Sequence, residues 1–371
     1  MCLTFITGVA QVWGMKVVLI GVGQAGGKVT QALAEFDYEM GFDAVQGAFA
    51  VNTARTDLQE LDIDTMLIGQ DRVKGHGVGG DNELGAEIMQ DESTEVLDEL
   101  SQRITSEVEA IVIVAGLGGG TGSGGAPALA SELDRIYDIP LYTLGILPGR
   151  DEGSIYQANA GRSLKTVVRE SDSALLIDND AWRESGESVE EGFDKINEQI
   201  ARRVGLLLAA GEAVEGVGES VVDSSEIINT LREGGMACMG YATAEASENP
   251  GENVNTITSL TRNALLTKMS LPDAVEAQSA LLVIAGDPDK ISRKGVERAR
   301  KWVEEETGSL QVRGGDFPLE SGRLGALVLL GGVERSRRVD EFMERAREAA
   351  ETTQDVDPTA AFENENLDDL F

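Results

Sequence analysis

Apolar residues along this chain come in short unbroken runs, and most runs are followed by a stretch in which they recur every three or four positions. "MKVVLIGVG" opens directly into "QAGGKVTQALAEF", a strand, a glycine turn and a helix. "AFAVN" (48–52), "DTMLIG" (64–69), "SEVEAIVIVAG", "IPLYTLGILP" (139–148) and "SALLIDND" (173–180) are further buried runs. Helical patterns such as "GSGGAPALASELDRIYD" and "IYQANAGRSLKTVVRES" separate them. Short buried strands alternating with helices predict a parallel, doubly wound α/β sheet over 15–188. "VEEGFDKINEQIARRVGLLLAAGEA" (189–213) reads as one long helix without internal proline, ending in "GVGES". The pattern then changes. "MACMGYATA", "ALLVIAGDPD" and "RLGALVLLGG" predict strands, and "NVNTITSLTRNALLT" and "KGVERARKWVEEETG" predict helices. A second, smaller α/β domain is expected over 214–346. Residues 347–371 are polar and acidic, the composition of a disordered tail, although "LDDLF" ends on Leu370 and Phe371.

The 371 residues and their 42% hydrophobic content suffice for two cores. No apolar run reaches the roughly 18 residues of a membrane span. The opening "MCLTFITGVAQVWG" has neither a basic start nor a clear cleavage site. Residues 1–14 are read as an extension before Met15, consistent with an upstream start codon. Cys2 and Cys238 supply no disulfide framework and no zinc spacing, as expected of a cytoplasmic protein.

Charge changes the picture. Against 65 acidic residues stand 31 basic ones, a net charge of −34. Nucleic acid as a partner is disfavoured, because its binding depends on Lys and Arg meeting phosphates. The acid is spread along the whole chain, and at low salt such a surface strains its own fold. Both facts fit a cytoplasm of molar salt, where the Debye length falls to about 3 Å.

Glycine carries the candidate chemistry. "GVGQAGG" (21–27), "GHGVGGD" (75–81) and "GLGGGTGSGG" (116–125) each follow a predicted strand of one sheet. Ligands bind at that carboxyl edge in open α/β folds. Glycine lets backbone N–H groups approach an anion, and a following helix presents its positive N-terminus. Three such loops converging suit a triphosphate. "GVGQAGG" alone matches GxGxxG, which suggests a dinucleotide site and a nicotinamide-dependent oxidoreductase. That reading needs an acid at the end of the second strand, where Asn52 stands. No GxxxxGK[ST] P-loop is present. "GGGTGSGG" is the specific signal, since flexible linkers do not sit between core elements.

"GGGTGSGG" resembles the phosphate signature of the tubulin/FtsZ superfamily, and "GQAGGK" its first nucleotide loop. "FAVNTARTDLQEL" resembles the second loop, "KGHGVGGDNELGAE" the third and "LPGRDEGSIYQANAGRSL" the fifth. The FtsZ arginine expected after the ribose glutamate is absent, and Tyr156 stands in that region. "IDND" and "DKINEQI" place Asn179 and Asn197 where tubulins carry two asparagines, and this mixture of FtsZ-like loops and tubulin-like asparagines, with the acidic composition, is most similar to the CetZ family of haloarchaeal tubulin-like proteins.

That resemblance implies a GTPase domain joined by a central helix to a smaller α/β domain. It implies GTP or GDP with Mg²⁺ as cofactors. Gly23, Gln24, Ala25, Gly26, Gly27 and Lys28 form the first loop, with Gln24 and Gly26 at the α- and β-phosphates and Gln24 near the metal; Lys28 is either a base or phosphate contact or a solvated lysine. Gly80 and Asp81 belong to the third loop. Gly116, Gly118, Gly119, Gly120, Thr121, Gly122 and Ser123 wrap the β- and γ-phosphates. Glu152 holds the ribose, and Asn179 and Asn197 read guanine. His76 is either an exposed loop histidine or a γ-phosphate contact.

No residue of the first domain has the look of a general base. "ESVVDSSEIINTLREGGMACMG" (219–240) resembles the loop that a second subunit inserts over the nucleotide. Asp223 and Glu226 lie three apart, on one helical face; a plain capping pair would show the same spacing. The resemblance makes Glu226 the acid that orients or deprotonates water, with Asp223 supporting it. Val221 stands where the superfamily usually carries asparagine, which bears on the hydrolysis rate. The expected partner is the chain itself, head to tail in a filament, with a role in archaeal cell shape or motility. A filament scaffold with little hydrolysis and an FtsZ-like division protein are the alternatives. "LDDLF" is either a frayed end or a docking peptide.

Overall fold

The computed structural model describes residues 14–182, 189–210, 222–274, 276–319 and 321–354, with the side chains of 189–194, 350 and 352–354 left aside. The extension up to residue 13, Val221 and the "LDDLF" end lie outside the described residues.

The first half runs β1 (Val17–Val22), α1 (Gly23–Met40), β2 (Val45–Asn52), α2 (Arg55–Gln59), β3 (Asp64–Leu67), α3 (Gln70–Val73), α4 (Asn82–Asp91) and α5 (Ser93–Ser101). It continues with β4 (Ala110–Gly116), α6 (Gly120–Asp134), β5 (Leu141–Leu147), α7 (Ser154–Glu170) and β6 (Ser173–Asp178). Then come α8 (Val189–Ala209), α9 (Ser224–Leu231), β7 (Met236–Glu245), α10 (Asn253–Thr267), β8 (Ala277–Gly286), α11 (Arg293–Thr307), β9 (Gln311–Pro318), β10 (Arg323–Val333) and α12 (Arg337–Gln354).

The ten strands of the described residues form one sheet, ordered β3-β2-β1-β4-β5-β6-β7-β10-β8-β9. The first six are parallel throughout. A parallel pairing at Ala174–Met236 and Leu175–Ala237 joins β6 to β7. Beyond it β10 runs antiparallel to both β7 and β8. The apolar runs are buried on both faces because helices cover both. Alternate residues of β1 point to opposite cores: Val18 and Ile20 meet the side of Leu129, Leu133 and Leu164, while Val17 and Leu19 meet that of Leu33, Ile200 and Leu207. The helices that follow β1 and β4 therefore lie on opposite faces, and a crevice opens between them at the strands' carboxyl ends.

Three features differ from the sequence reading. The sequence pattern does not predict β9, because "QVRGGDFP" carries two glycines and alternating polar residues and is ordered by pairing in register with β8. Helix α12 runs to Gln354, past the expected start of the tail at 347, since Phe342, Ala346 and Ala349 bury an apolar stripe. Gly14, assigned to the extension, is packed: a Cβ there would stand 2.8 Å from the Leu208 carbonyl. No described helix is long and apolar enough to cross a membrane.

Candidate nucleotide-binding site

A cavity of about 580 Å³ occupies the crevice. Its wall includes Val22, Asn52 and Gly116, which end β1, β2 and β4, together with Ile146 near the end of β5 and Asn179 just after β6. Of the residues singled out in the sequence, Gly23, Gln24, Ala25, Lys28, Gly80, Gly116, Gly118, Gly119, Gly120, Thr121, Gly122, Glu152, Asn179 and Asn197 all line it. His76 and Tyr156 do so too.

The glycine segments are not free loops. Helix α1 begins at Gly23, immediately after β1, and α6 begins at Gly120. "GQAGG" and "GTGSGG" are thus first turns of helices, where N–H groups lack intrahelical partners, and Gly23, Gln24, Ala25, Gly120, Thr121 and Gly122 of these turns line the cavity. Two kinds of glycine share these turns. At Gly119 a Cβ would meet no protein atom within 4 Å. Gly26 and Gly124 are packing residues, where a Cβ would lie 2.2 Å from the Val114 carbonyl oxygen and 1.9 Å from that of Asn82. Helix α1 can press on the sheet, and α6 on α4, only without side chains there. Gly26 packs against β4, and Gly27 against Leu61 and Ala50; neither lines the cavity.

Asp81 and Ser123 do not line the cavity and make hydrogen bonds within the protein. Asp81 caps α4, its Oδ1 accepting from the Leu84 N–H at 3.0 Å. The Ser123 hydroxyl donates to the carbonyl of Gly119, fixing the turn from behind. Gly80, with φ of 88°, takes a left-handed conformation that favours glycine. Thr121 Oγ1 lies 2.7 Å from Thr53 Oγ1, in a buried hydroxyl pair.

At the other end of the cavity, Glu152 Oε1 accepts from the Gly149 N–H at 2.7 Å and from Asn179 Nδ2 at 3.4 Å. Asn197 projects from α8. Lys28 forms an ion pair with Glu60 at 3.3 Å on the partly exposed rim.

Sequence reasoning missed the residue that ties two of the loops together. Asn159, buried on α7, donates from Nδ2 to the carbonyls of Gly80 at 2.7 Å and Gly118 at 3.1 Å. A lone asparagine inside a helical pattern carries no signal of this; only the approach of α7 to both loops makes it a clamp.

Asp223 and Glu226 lie elsewhere. Asp223 caps α9, accepting from the Glu226 N–H at 3.1 Å. The next residue, Ser224, donates to Glu109 at 2.6 Å, just before β4 begins. The cavity is at the far end of that seven-residue strand, roughly 20 Å away at about 3.3 Å per residue. Helix α8 spans the same distance: Asn197 faces the cavity, and the Leu208 carbonyl accepts from the Met15 N–H before β1. The two acids and the cavity thus occupy opposite edges of the sheet. Glu226 Oε2 is buried without a hydrogen-bond partner. Burial, and then the charge of Asp223, push its carboxyl above the usual range, against the pull of Arg313 and Arg300.

Comparison with known proteins gives the family. Residues 16–187 match the tubulin/FtsZ family GTPase domain, and residues 186–348 match the C-terminal domain of tubulin-like CetZ. The tubulin-like protein CetZ2 of Haloferax volcanii is 67% identical over 360 residues, covering 96% of this chain and all of that protein. CetZ1 of the same organism is 49% identical, covering 92% of this chain and 94% of the relative. A GTPγS-bound protofilament structure of CetZ2 from Haloferax volcanii superposes with a TM-score of 0.89 at 66% identity, over 92% of this chain and 100% of that one. An empty FtsZ dimer of M. jannaschii, at 21% identity and a TM-score of 0.68, over 86% of this chain and 89% of that one, shares the fold. Likeness along nearly the whole length leads to one assignment: the chain belongs to the tubulin-like CetZ family, within the tubulin/FtsZ superfamily.

Proposed function

We propose that this protein is a cytoplasmic GTPase that polymerises head to tail, each subunit's Asp223 and Glu226 completing the nucleotide site of the next. The observation that carries the reading is the separation of acid and cavity across the sheet. A group roughly 20 Å from the cavity in its own subunit meets a nucleotide only across a contact between copies. A contact joining opposite edges is heterologous and propagates into a filament. The GTPγS-bound protofilament of the CetZ2 relative supports it.

The first turns of α1 and α6 bind the phosphates through backbone N–H groups. Asn179 and Asn197 each offer a donor and an acceptor for the guanine edge, and Glu152 takes the ribose. Among the described residues no group of three or more His, Cys, Asp or Glu makes a metal site unaided. Mg²⁺ fits such a place, because it keeps waters and binds through phosphates with few protein oxygens; Gln24 would supply one. When bound it neutralises phosphate charge. Glu226 of the neighbouring copy orients the attacking water. As its oxygen bonds to the γ-phosphorus, the bond to the β-phosphate bridge breaks and Glu226 takes the proton. A raised pKa suits a base working near neutrality. Hydrolysis then weakens the contact. A role in archaeal cell shape or motility follows from the family alone.

A second reading, a GTP-bound scaffold with little turnover, is favoured by Val221 in place of asparagine. One experiment separates them: GTP hydrolysis per subunit against protein concentration, in molar KCl with Mg²⁺, with Glu226→Ala alongside. The expected result is a specific rate that rises steeply with concentration, and a mutant that assembles without turnover. A flat rate with an unaffected mutant would place hydrolysis within one subunit. Tight GTP binding without hydrolysis would favour the scaffold.

A further inference from the structure

The most deeply buried cation of the described residues has no part in phosphate binding. Arg338, on the first turn of α12, is 2% exposed. Its Nε donates to Asp178 Oδ2 at 2.6 Å and its Nη2 to Asp178 Oδ1 at 2.9 Å, a bidentate pair. The same Nη2 reaches Asp180 Oδ2 at 3.4 Å. Asp178 and Asp180 flank Asn179, so one guanidinium holds the side chains on both sides of a cavity residue.

The grip extends to the ribose end. Asp180 Oδ2 accepts from the Arg150 N–H at 2.9 Å, two residues before Glu152. Arg150 Nη2 returns to Glu341 Oε2 on α12 at 3.3 Å. One turn of α12 therefore holds both segments that carry Asn179 and Glu152. The helix is seated hard against the site, because a Cβ at Gly161 of α7 would stand 2.4 Å from that of Ala346. Burying a guanidinium and two carboxylates is a poor route to stability, since a well-packed apolar set often does as well. A rigid bidentate fork fixes the direction of the chain it holds, which an apolar contact does not.

We propose that Arg338 is a positioning residue for nucleotide selection: through Asp178 and Asp180 it aims Asn179 and steadies Glu152, so that the C-terminal helix sets how well the site tells a guanine from an adenine nucleotide. The proposal rests on the GTP reading given above.

The test is a titration of the full chain, in molar KCl with Mg²⁺, with fluorescent GDP and ADP analogues. Wild type is compared with Arg338→Lys, Arg338→Met and the paired Arg338→Met/Asp178→Leu, and thermal melting of each is recorded without nucleotide. The expected result is GDP binding weakened about tenfold, the loss of a charged hydrogen bond, with ADP binding little changed. The preference for guanine narrows in every variant that folds, and does so in the paired variant even where its melting temperature recovers. Arg338→Lys keeps the charge without the fork, and decides the matter should Arg338→Met fail to fold. An unchanged GDP-to-ADP ratio in Arg338→Lys would overturn the proposal and leave Arg338 a stabilising residue only. Wild-type protein without a preference for GDP would instead overturn the GTP reading itself.

Discussion

Glu226 shows what burial demands of one residue. A carboxyl pushed up by burial and by Asp223 is ionised at a cost to folding. Its folded pKa lies above its ordinary 4.5, so the folded state holds the proton more tightly than the unfolded one. Below pH 4.5 the acid therefore costs nothing. The cost grows as pH rises through the raised pKa and is complete above it. Glu226→Gln should melt higher than wild type at neutral pH and close to it below pH 4.5. Thermal melts of dilute, unassembled protein check this, and a lower melting point for Glu226→Gln at neutral pH would contradict it. Asp223 belongs to the same balance. It caps α9, so the capping pair inferred from spacing is present, alongside the placement of Glu226 on the sheet edge opposite the cavity.

At the scale of the element, helix α6 combines two requirements in one glycine-rich turn. Gly119 stands at the cavity with room for a side chain, whereas Gly124 presses on the α4 backbone. The same substitution should therefore act differently five residues apart. Gly124→Ala is expected to cost about 1–3 kcal/mol of stability, as overpacking does. Gly119→Ala should melt like wild type without nucleotide and yet bind GTP more weakly, because its methyl group enters the phosphate space. Denaturant unfolding and nucleotide titration of the two variants make the comparison. Equal stability loss in both would show that the glycines serve packing alone. Helix α8 is the other telling element. Its apolar positions Ile196, Ile200, Val204 and Leu207 face the core that holds Leu33 of α1, and its length joins the cavity edge to the α9 edge.

Across the whole molecule, the net charge of −34 acts on a single sheet that both halves share. Self-repulsion is screened only when the Debye length is short, about 3 Å at 1 M salt against about 10 Å at 0.1 M. The midpoint of thermal unfolding should fall continuously as KCl is lowered from about 1 M to about 0.1 M. Association of subunits should fail over the same range. Scattering and circular dichroism in a KCl series test both; a melting point independent of salt would remove the halophilic reading of the composition. Many of the ion pairs among the described residues are at the surface, such as Arg72 with Glu87 and Arg293 with Glu297, and contribute little individually. Screening therefore outweighs them.

The sequence by itself determined the strand order along the chain, the long helix and the glycine-marked carboxyl edge. Those are local properties: periodicity, apolar runs and backbone freedom are written into neighbouring residues. Most cavity residues were legible for the same reason, because a strand end followed by glycines fixes where a ligand approaches. Tertiary structure alone decided which glycines face the cavity and which face backbone, since Gly26, Gly119 and Gly124 are identical until a partner element arrives. It alone brought Asn159 to two loops and Arg338 to the strand end that carries Asn179, contacts made across 160 residues in the second case. It also decided β9, a strand that exists through its pairing with β8, and set Asp223 and Glu226 at the edge away from the cavity. Periodicity reports which face of an element is buried, and is silent on what lies opposite.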